Sequence, residues 1–332
     1  YTDGIGVTET LTSAPTANVR SDFRASDATW GPSGAEFQVN TFTAGIQRRP
    51  SVSDLSDGGF VVTWESVGQD GDGLGVYGQR YDAAGAPQGT EFRVNTFITD
   101  DQFVTSVADL SDGGFVVTWM SKGQDGSGYG VYAQRYDAAG AMAGTEFRVN
   151  TVTTDDQNAP SVTALSGGGF VVTWHSRNQD GDGWGIYGQR YDAAGVAAGP
   201  EFRVNTRTMD DQSSSSVTGL SDGGYVVTWN SDYQDGDDYG IFGQRYDATG
   251  TAQGAEFQIN TATFDFQESP SVAALSDGGF VVTWRSNDSD GYGVFGQRYD
   301  AAGAMQGAEF QVNTTTAGWQ NGFSVSSLPD GG

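Results

Sequence analysis

The sequence predicts an all-β fold, a six-bladed β-propeller of four-stranded blades whose ring is closed by pairing N- and C-terminal strands. Three observations predict it: a tandem repeat with a fixed period, four strand-like segments in each repeat, and no stretch with sustained helical periodicity. The segment Gly59-Phe-Val-Val-Thr-Trp64 returns at Gly114, Gly169, Gly224 (with Tyr225 for Phe) and Gly279, each 55 residues after the last. Glu-Phe-(Arg/Gln)-(Val/Ile)-Asn begins at Glu36, Glu91, Glu146, Glu201, Glu256 and Glu309. Gln-Arg-Tyr-Asp begins at Gln79, Gln134, Gln189, Gln244 and Gln297.

In the first full repeat, strand a is expected at about Ser51–Leu55, ended by the turn Ser56-Asp57-Gly58-Gly59. Strand b follows at Phe60–Ser66, rich in β-branched and aromatic residues. The Gly/Asp loop Gln69–Gly73 leads to strand c at Gly75–Asp82, and Ala83–Gly89 leads to strand d at Glu91–Thr96. Four strands at this period make a propeller blade, and six units of this length span about 330 residues. Six a and six d strands are recognisable, but only five clear b and c strands. The missing pair is expected within Ile5–Thr12 and Val19–Ser26. The sixth blade, shared by residues 1–40 and 319–332, then takes its a strand from Phe323–Leu328. That splice makes one domain of residues 1–332, a monomeric ring without exposed sheet edges.

The 332 residues include 42 acidic and 16 basic side chains, for a formal charge of −26. Such a charge argues against nucleic acid or an anionic membrane as a direct partner. It favours solubility, salty surroundings or divalent counter-ions. There is no Cys, one His (His175) and one Lys (Lys122), and no apolar run suits membrane insertion. The first residues lack the basic-then-apolar pattern of a signal peptide, and the chain stops within a repeat at Pro329–Gly332; it reads as a mature fragment.

In a four-stranded meander the b–c loops and the d-to-a loops emerge at one end. Here these are the acidic loops, with Asp70, Asp72, Asp125, Asp180, Asp182, Asp235, Asp237, Asp288 and Asp290 between strands b and c. Asp interspersed with Gly suits Ca²⁺, which takes several oxygens from a sharply bent backbone. The loops resemble the Asp-x-Asp-Gly loops of EF hands and integrin-type propellers, without the later Glu of the former. Asp-Gly pairs also form turns with no metal at all. The d-to-a loops add a Gln in every repeat, including Gln47, Gln102, Gln157 and Gln212.

Positions that vary on a repeated scaffold are where function is expected. After each Trp come Glu65, Met120, His175, Asn230 and Arg285; before strand c come Leu74, Tyr129, Trp184, Tyr239 and Tyr292. The unrepeated basic residues include Arg48, Arg49, Arg177 and Arg285, and Trp319 stands alone near the C-terminus. Aromatic rings beside carboxylates, Gln and Arg suit a carbohydrate surface, with rings stacking on sugars. The same rings could simply seal blade ends. The repeated Trp64, Trp119, Trp174, Trp229 and Trp284 are expected between blades, and the repeated Arg80 and its equivalents on an acid such as Glu91. If the chain is an enzyme, His175 is the one conventional base near neutral pH and Arg285 a charge-stabilising partner. No P-loop, zinc motif, nucleophile elbow or dinucleotide fingerprint is present.

The whole repeat, Gly-Gly-Phe-Val-Val-Thr-Trp-x-Ser-x-x-Gln-Asp-Gly-Asp-Gly-x-Gly-Val-Tyr-Gly-Gln-Arg-Tyr-Asp, resembles the tandem repeats of secreted RTX-type (hemolysin-type) calcium-binding proteins of proteobacteria over residues 34–332. The resemblance implies export, calcium and an extracellular or cell-surface setting. It implies no single activity, since such proteins include adhesins and polysaccharide-degrading enzymes. The nonapeptide Gly-Gly-x-Gly-x-Asp series of RTX β-rolls is absent. The Ser56-Asp-Gly-Gly…Thr63-Trp64 stretch also resembles the Asp box of sialidases, at a spacing two residues longer, and that match is discounted. The leading expectation is a secreted, Ca²⁺-binding module that recognises a polysaccharide or cell-surface glycan. Alternatives are a polysaccharide lyase or glycoside hydrolase acting at one asymmetric site, and a structural spacer.

Overall fold

The computed structural model describes residues 8–9, 19–20, 35–288 and 290–327. The chain is all-β, and its repeats form five successive antiparallel sheets whose strands follow in the order a, b, c, d. In sheet 1 these are Gln47–Asp54, Phe60–Val67, Leu74–Tyr81 and Pro87–Arg93. Sheet 2 runs from Gln102 to Arg148, sheet 3 from Gln157 to Arg203, sheet 4 from Gln212 to Gln258 and sheet 5 from Gln267 to Gln311. Sheets 1–3 belong to one compact unit, which takes in Gln38–Val204; sheets 4 and 5 belong to a second, which takes in residues from Asn205 onward.

Strands b and c match the expected positions. Strand a starts four residues earlier than expected, because Gln47 and Arg48 rejoin the ladder above a bulge. Strand d also starts earlier, and in sheets 2 and 3 it shrinks to Phe147–Arg148 and Phe202–Arg203. The N-terminal pair appears as Thr8–Glu9 against Val19–Arg20, antiparallel, and the rest of those expected strands lies outside the described residues. Residues 323–327 carry no ladder, although the Val325 amide donates to Ser271 Oγ at 3.2 Å. Val272 makes the same bond to Ser216, and Val162 to Ser106. A further short strand, Gly318–Trp319, pairs parallel with strand c of sheet 5. Among the described residues, no helix is long and apolar enough to cross a membrane.

Sheets bury both faces. Val61, Val76 and Val94 of sheet 1 pack against Phe115, Val117 and Trp119 of sheet 2, and Val116, Val131 and Val149 of sheet 2 against Phe170, Val172 and Trp174 of sheet 3. In the other unit Val226, Ile241 and Ile259 meet Phe280, Val282 and Trp284. Trp119, Trp174 and Trp284 are therefore inter-sheet packing, as expected. A stacked ring pair across strands b and c accompanies each of them, such as Phe115–Tyr136 at 4.6 Å between centroids.

The repeated Arg has a different partner from the one expected. Arg80 pairs with Asp57 of its own a–b turn at 3.3 Å and donates to the Ala138 carbonyl in the c–d turn of the next sheet at 3.0 Å. Arg135 repeats both bonds with Asp112 and Ala193. Gly140 is needed there, since it has φ of 81° and a Cβ would lie 2.8 Å from Arg80. Glu91 instead accepts from the Thr41 amide at 2.6 Å, tying its strand d to the preceding one, and Glu146, Glu201, Glu256 and Glu309 repeat the bond.

Two tests follow from this packing. Trp119 is 0% exposed, so Trp119→Ala should lower stability by about 3–5 kcal/mol, read by denaturant unfolding. At the opposite end of the strands, burial raises the pKa of both Asp54 and Asp109, and the charge of Asp109 raises Asp54 further. A raised carboxyl pKa is a folding penalty that grows as pH climbs past the ordinary value of 3.8. Asp109→Asn should therefore raise the melting temperature at pH 7, and this gain should vanish below about pH 4.

Candidate functional site

The loops and bulges that carry the expected site residues gather at one end of each sheet. The d-to-a and b–c loops lie side by side there, braced by reciprocal bonds: Leu74 N–H donates to Asp101 Oδ1 at 3.0 Å, and Asp100 N–H to Asp72 Oδ2 at 3.1 Å. Tyr129 and Asp156 repeat the first bond, and Asp265 and Asp237 the second. The first Asp of each Asp-Asp pair sits in the left-handed region, with φ of 57° at Asp100, 59° at Asp155 and 62° at Asp210. Gly45 and Gly318 hold this position where Asp is absent, at 75° and 76°. The exchange of Asp-Asp for Gly-Ile or Gly-Trp thus keeps a backbone requirement that Gly and Asp both meet.

Just below the loops, strand a bulges in every sheet, between Arg48 and Ser51, Phe103 and Ser106, Asn158 and Ser161, Ser213 and Ser216, and Glu268 and Ser271. Each bulge carries a non-Gly residue at positive φ: Arg49, Val104, Ala159, Ser214 and Ser269. For β-branched Val104, at 54°, this is strained backbone. Sequence between the repeats diverges most at these bulges, as Arg-Arg-Pro, Phe-Val-Thr, Asn-Ala-Pro, Ser-Ser-Ser and Glu-Ser-Pro. The residue after each Trp pairs with the start of its bulge, Glu65 with Arg48 and His175 with Asn158.

In sheet 1 the buried Glu65 carboxylate organises this end. It accepts from Arg48 Nε at 2.9 Å, from Arg49 at 3.4 Å and from the Val104 amide of the next sheet at 2.6 Å. The side chains of Arg48 and Arg49 remain about half exposed. At the same end of sheet 2, Tyr129 meets Phe103 edge-on at 5.5 Å. Trp184 meets the His175 ring edge-on at 4.8 Å, with Arg177 over its indole at 6.0 Å. In the second unit Arg285 pairs with Glu268 and Asn321 and lies 4.6 Å over the Tyr292 ring, while Tyr292 meets the exposed Trp319 edge-on. Tyr239 packs near Phe266.

Several expected roles change. Gln47, Gln102, Gln157 and Gln212 are fully buried rather than presented to a ligand. Gln102 accepts from Asn95 Nδ2 at 3.0 Å and donates to the Thr99 carbonyl at 2.8 Å, so this Gln is a brace inside the d-to-a loop. The His175 pKa is pushed down to about 4 by burial, which leaves it neutral near pH 7 and too weak a base for the part assigned to it. The guanidinium of Arg285 is already engaged by Glu268 and Asn321. Among the described residues, no three Asp, Glu or His side chains converge to hold a metal ion. Asp72 and Asp237 spend their carboxylates on loop amides, and Asp288 takes the Asp290 amide at 3.0 Å and Gln311 at 3.2 Å. Asp180, like Asp70, Asp125 and Asp235, folds its carboxylate over the glycine that opens strand c; no metal role is assigned to Asp182.

One carboxylate escaped the sequence reading. Asp232 ends strand b of sheet 4, and its pKa is raised by burial and then by the charges of Asp210, Asp211 and Asp238, with Arg207 opposing. Tyr239, opposite it on strand c, is raised by burial and by Asp232. The signal was available: equivalent positions hold Val67, Lys122, Arg177 and Asn287.

No protein-family model and no curated protein matches the chain. Solved structures do. A protein of unknown function from Dyadobacter fermentans is 11% identical, with TM-score 0.58 over 80% of this chain and 82% of its own. The alpha-L-arabinanase of Penicillium chrysogenum, solved with arabinobiose, is 16% identical, with TM-score 0.54 over 80% of each chain. The NanB sialidase of Streptococcus pneumoniae is 8% identical, with TM-score 0.54 over 82% of this chain and 62% of its own. At these identities the likeness is one of fold: repeated four-stranded antiparallel sheets.

Glu65 offers a direct test of this site. Glu65→Ala leaves the Val104 amide without its acceptor beside a strained bulge, and should cost about 1–3 kcal/mol in denaturant unfolding.

Proposed function

We propose that the chain is a glycoside hydrolase acting on a polysaccharide or cell-surface glycan at the variable end of its sheets. The observation that carries this reading is Asp232: a carboxyl group with a raised pKa, surrounded by other carboxylates, next to an aromatic side chain. Glycoside hydrolysis needs that division of labour, one carboxyl kept protonated to donate to the leaving oxygen and one ionised to assist attack at the sugar. Asp232 is the acid, and Asp211 or Asp238 is the second carboxyl group. Tyr239 provides a face for sugar stacking. The arabinanase and sialidase that share the fold act on glycans by their names, which agrees with this assignment.

The architecture that goes with this function is a closed ring of six blades. Supporting it, Val325 meets Ser271 as Val272 meets Ser216, so residues near 325 stand where the a strand of another sheet would. The setting is secreted or cell-surface, on the strength of the acidic composition and the repeat resemblance. A second reading, a lectin-like module that binds without cleaving, is favoured by the ring at the same position of four sheets (Tyr129, Trp184, Tyr239 and Tyr292) and by Trp319 at 73% exposure.

The deciding experiment incubates the chain with neutral and acidic polysaccharides, arabinan and sialylated glycans among them, and sizes the products. Shortened glycans are expected, with cleavage lost by about 10²–10⁴-fold in Asp232→Asn. Because the acid must stay protonated, activity should fall as pH rises through its raised pKa. Intact glycans that co-migrate with the protein would support the lectin-like reading, and neither result across the panel would leave a spacer.

A further inference from the structure

The b–c hairpins of sheets 1 and 2 contain buried oxygens that the glycan reading does not use. In sheet 1, Ser66 Oγ, Gln69 Oε1 and Asp70 Oδ2 are closed off from solvent and have no hydrogen-bond partner. Sheet 2 repeats the set with Ser121 Oγ, Gln124 Oε1 and Asp125 Oδ2. Ser66 and Ser121 are both 0% exposed. An unpaired buried oxygen is costly, and two copies of the same three point to a ligand.

The three residues belong to one hairpin, and two of them meet at the same glycine. Ser66 lies directly across from Gly75 on strand c. The Asp70 carboxylate folds back over that glycine so closely that a Cβ there would lie 2.5 Å from Asp70 Oδ2; for Gly130 and Asp125 the distance is 2.7 Å. The Gln69 amide nitrogen is fixed by Glu91, and that of Gln124 by Glu146 at 2.5 Å, which commits each Oε1 to the other side. Sheet 4 shows how close these positions are. There Ser231 Oγ donates to Gln234 Oε1 at 2.7 Å, and Asn260 donates to Asp235 Oδ2 at 2.9 Å, so the group satisfies itself. In sheets 1 and 2 it stays open.

We propose that the b–c hairpins of sheets 1 and 2 each bind one Ca²⁺ ion, through Ser66, Gln69 and Asp70 in one and Ser121, Gln124 and Asp125 in the other. The donors are all hard oxygens, and Ca²⁺ completes its shell with carbonyls and water on a flexible backbone. Neither Asp70 nor Asp125 takes part in an ion pair among the described residues, so each carboxylate offers an uncompensated charge. This differs from the site expected from the sequence. One Asp per loop is a ligand, joined by Ser and Gln, while Asp72 secures the neighbouring loop.

The test uses the full chain stripped with a chelator. Tb³⁺ is added as a luminescent probe excited through the protein's aromatic rings, Ca²⁺ is titrated against it, and melting temperature is followed in parallel. Two-site Tb³⁺ luminescence, its displacement by Ca²⁺ and a rise in melting temperature with Ca²⁺ are expected. Asp70→Asn/Asp125→Asn should weaken Ca²⁺ binding at least tenfold, and Ser66→Ala/Ser121→Ala should weaken it in a variant that keeps both loops' turns. If the wild-type chain takes up no Tb³⁺ and melts identically in Ca²⁺ and chelator, the hairpins hold water and the proposal fails. Ca²⁺ binding that is unchanged in both double variants would place the metal elsewhere and overturn it equally. Glycan cleavage plays no part in these readouts, so either proposal can fail alone.

Discussion

The structure depends on one constraint: a four-stranded sheet with two apolar faces cannot stand in water by itself. In strand b, Phe115, Val117 and Trp119 point to one neighbour while Val116 points to the other, so every sheet needs a partner on each side. Each sheet therefore repeats the same Trp, the same ring stack and the same Val residues with almost no freedom. Polar ties reinforce the stacking where strands end. Arg80 and Arg135 hold the next sheet's c–d turn, and Glu91 and Glu146 hold the preceding strand d.

Because the faces are fixed, variation moves to the edges. The bulge in strand a gives each sheet two residues that leave the ladder, and the two loops above them are braced to each other. A scaffold of this kind can change Arg-Arg-Pro to Ser-Ser-Ser without disturbing a single Trp. The cost is local strain, visible at Val104, whose amide is held by Glu65 of the neighbouring sheet.

Much of this was legible in the sequence, for a reason that also explains the failures. Strands b and c were placed correctly because a near-continuous run of β-branched and aromatic residues, repeated with the Trp, marks a sheet buried on both faces. The Gln of each d-to-a loop was misread because a buried amide bracing a turn and an exposed amide awaiting a sugar are the same letters; only the Asn95–Gln102 bond separates them. Where the Asp-Asp pair is lost, Gly45 and Gly318 preserve its left-handed residue, a backbone need that the letters alone do not display. Asp232 was missed because one more Asp in so acidic a chain attracts no notice, although its repeats hold Val, Lys, Arg and Asn. Charge partners were the least legible: Arg80 had several acids within plausible reach, and the choice of Asp57 is set by three-dimensional geometry.

The near-identity of the inter-sheet faces has a consequence for how such a chain assembles. Sheets that present the same Trp, Val and ring stack are interchangeable wedges, and any one of them can dock on a neighbour that is not its own. Nucleation can begin at any adjacent pair and spread along the chain, but a wedge that skips its neighbour also finds a well-fitting surface, in the same molecule or another. The short connections between successive sheets, such as the one from Arg93 to Gln102, work against that error by keeping the correct wedge nearest. Sequence order, carried by loop length, supplies the specificity that the faces themselves lack.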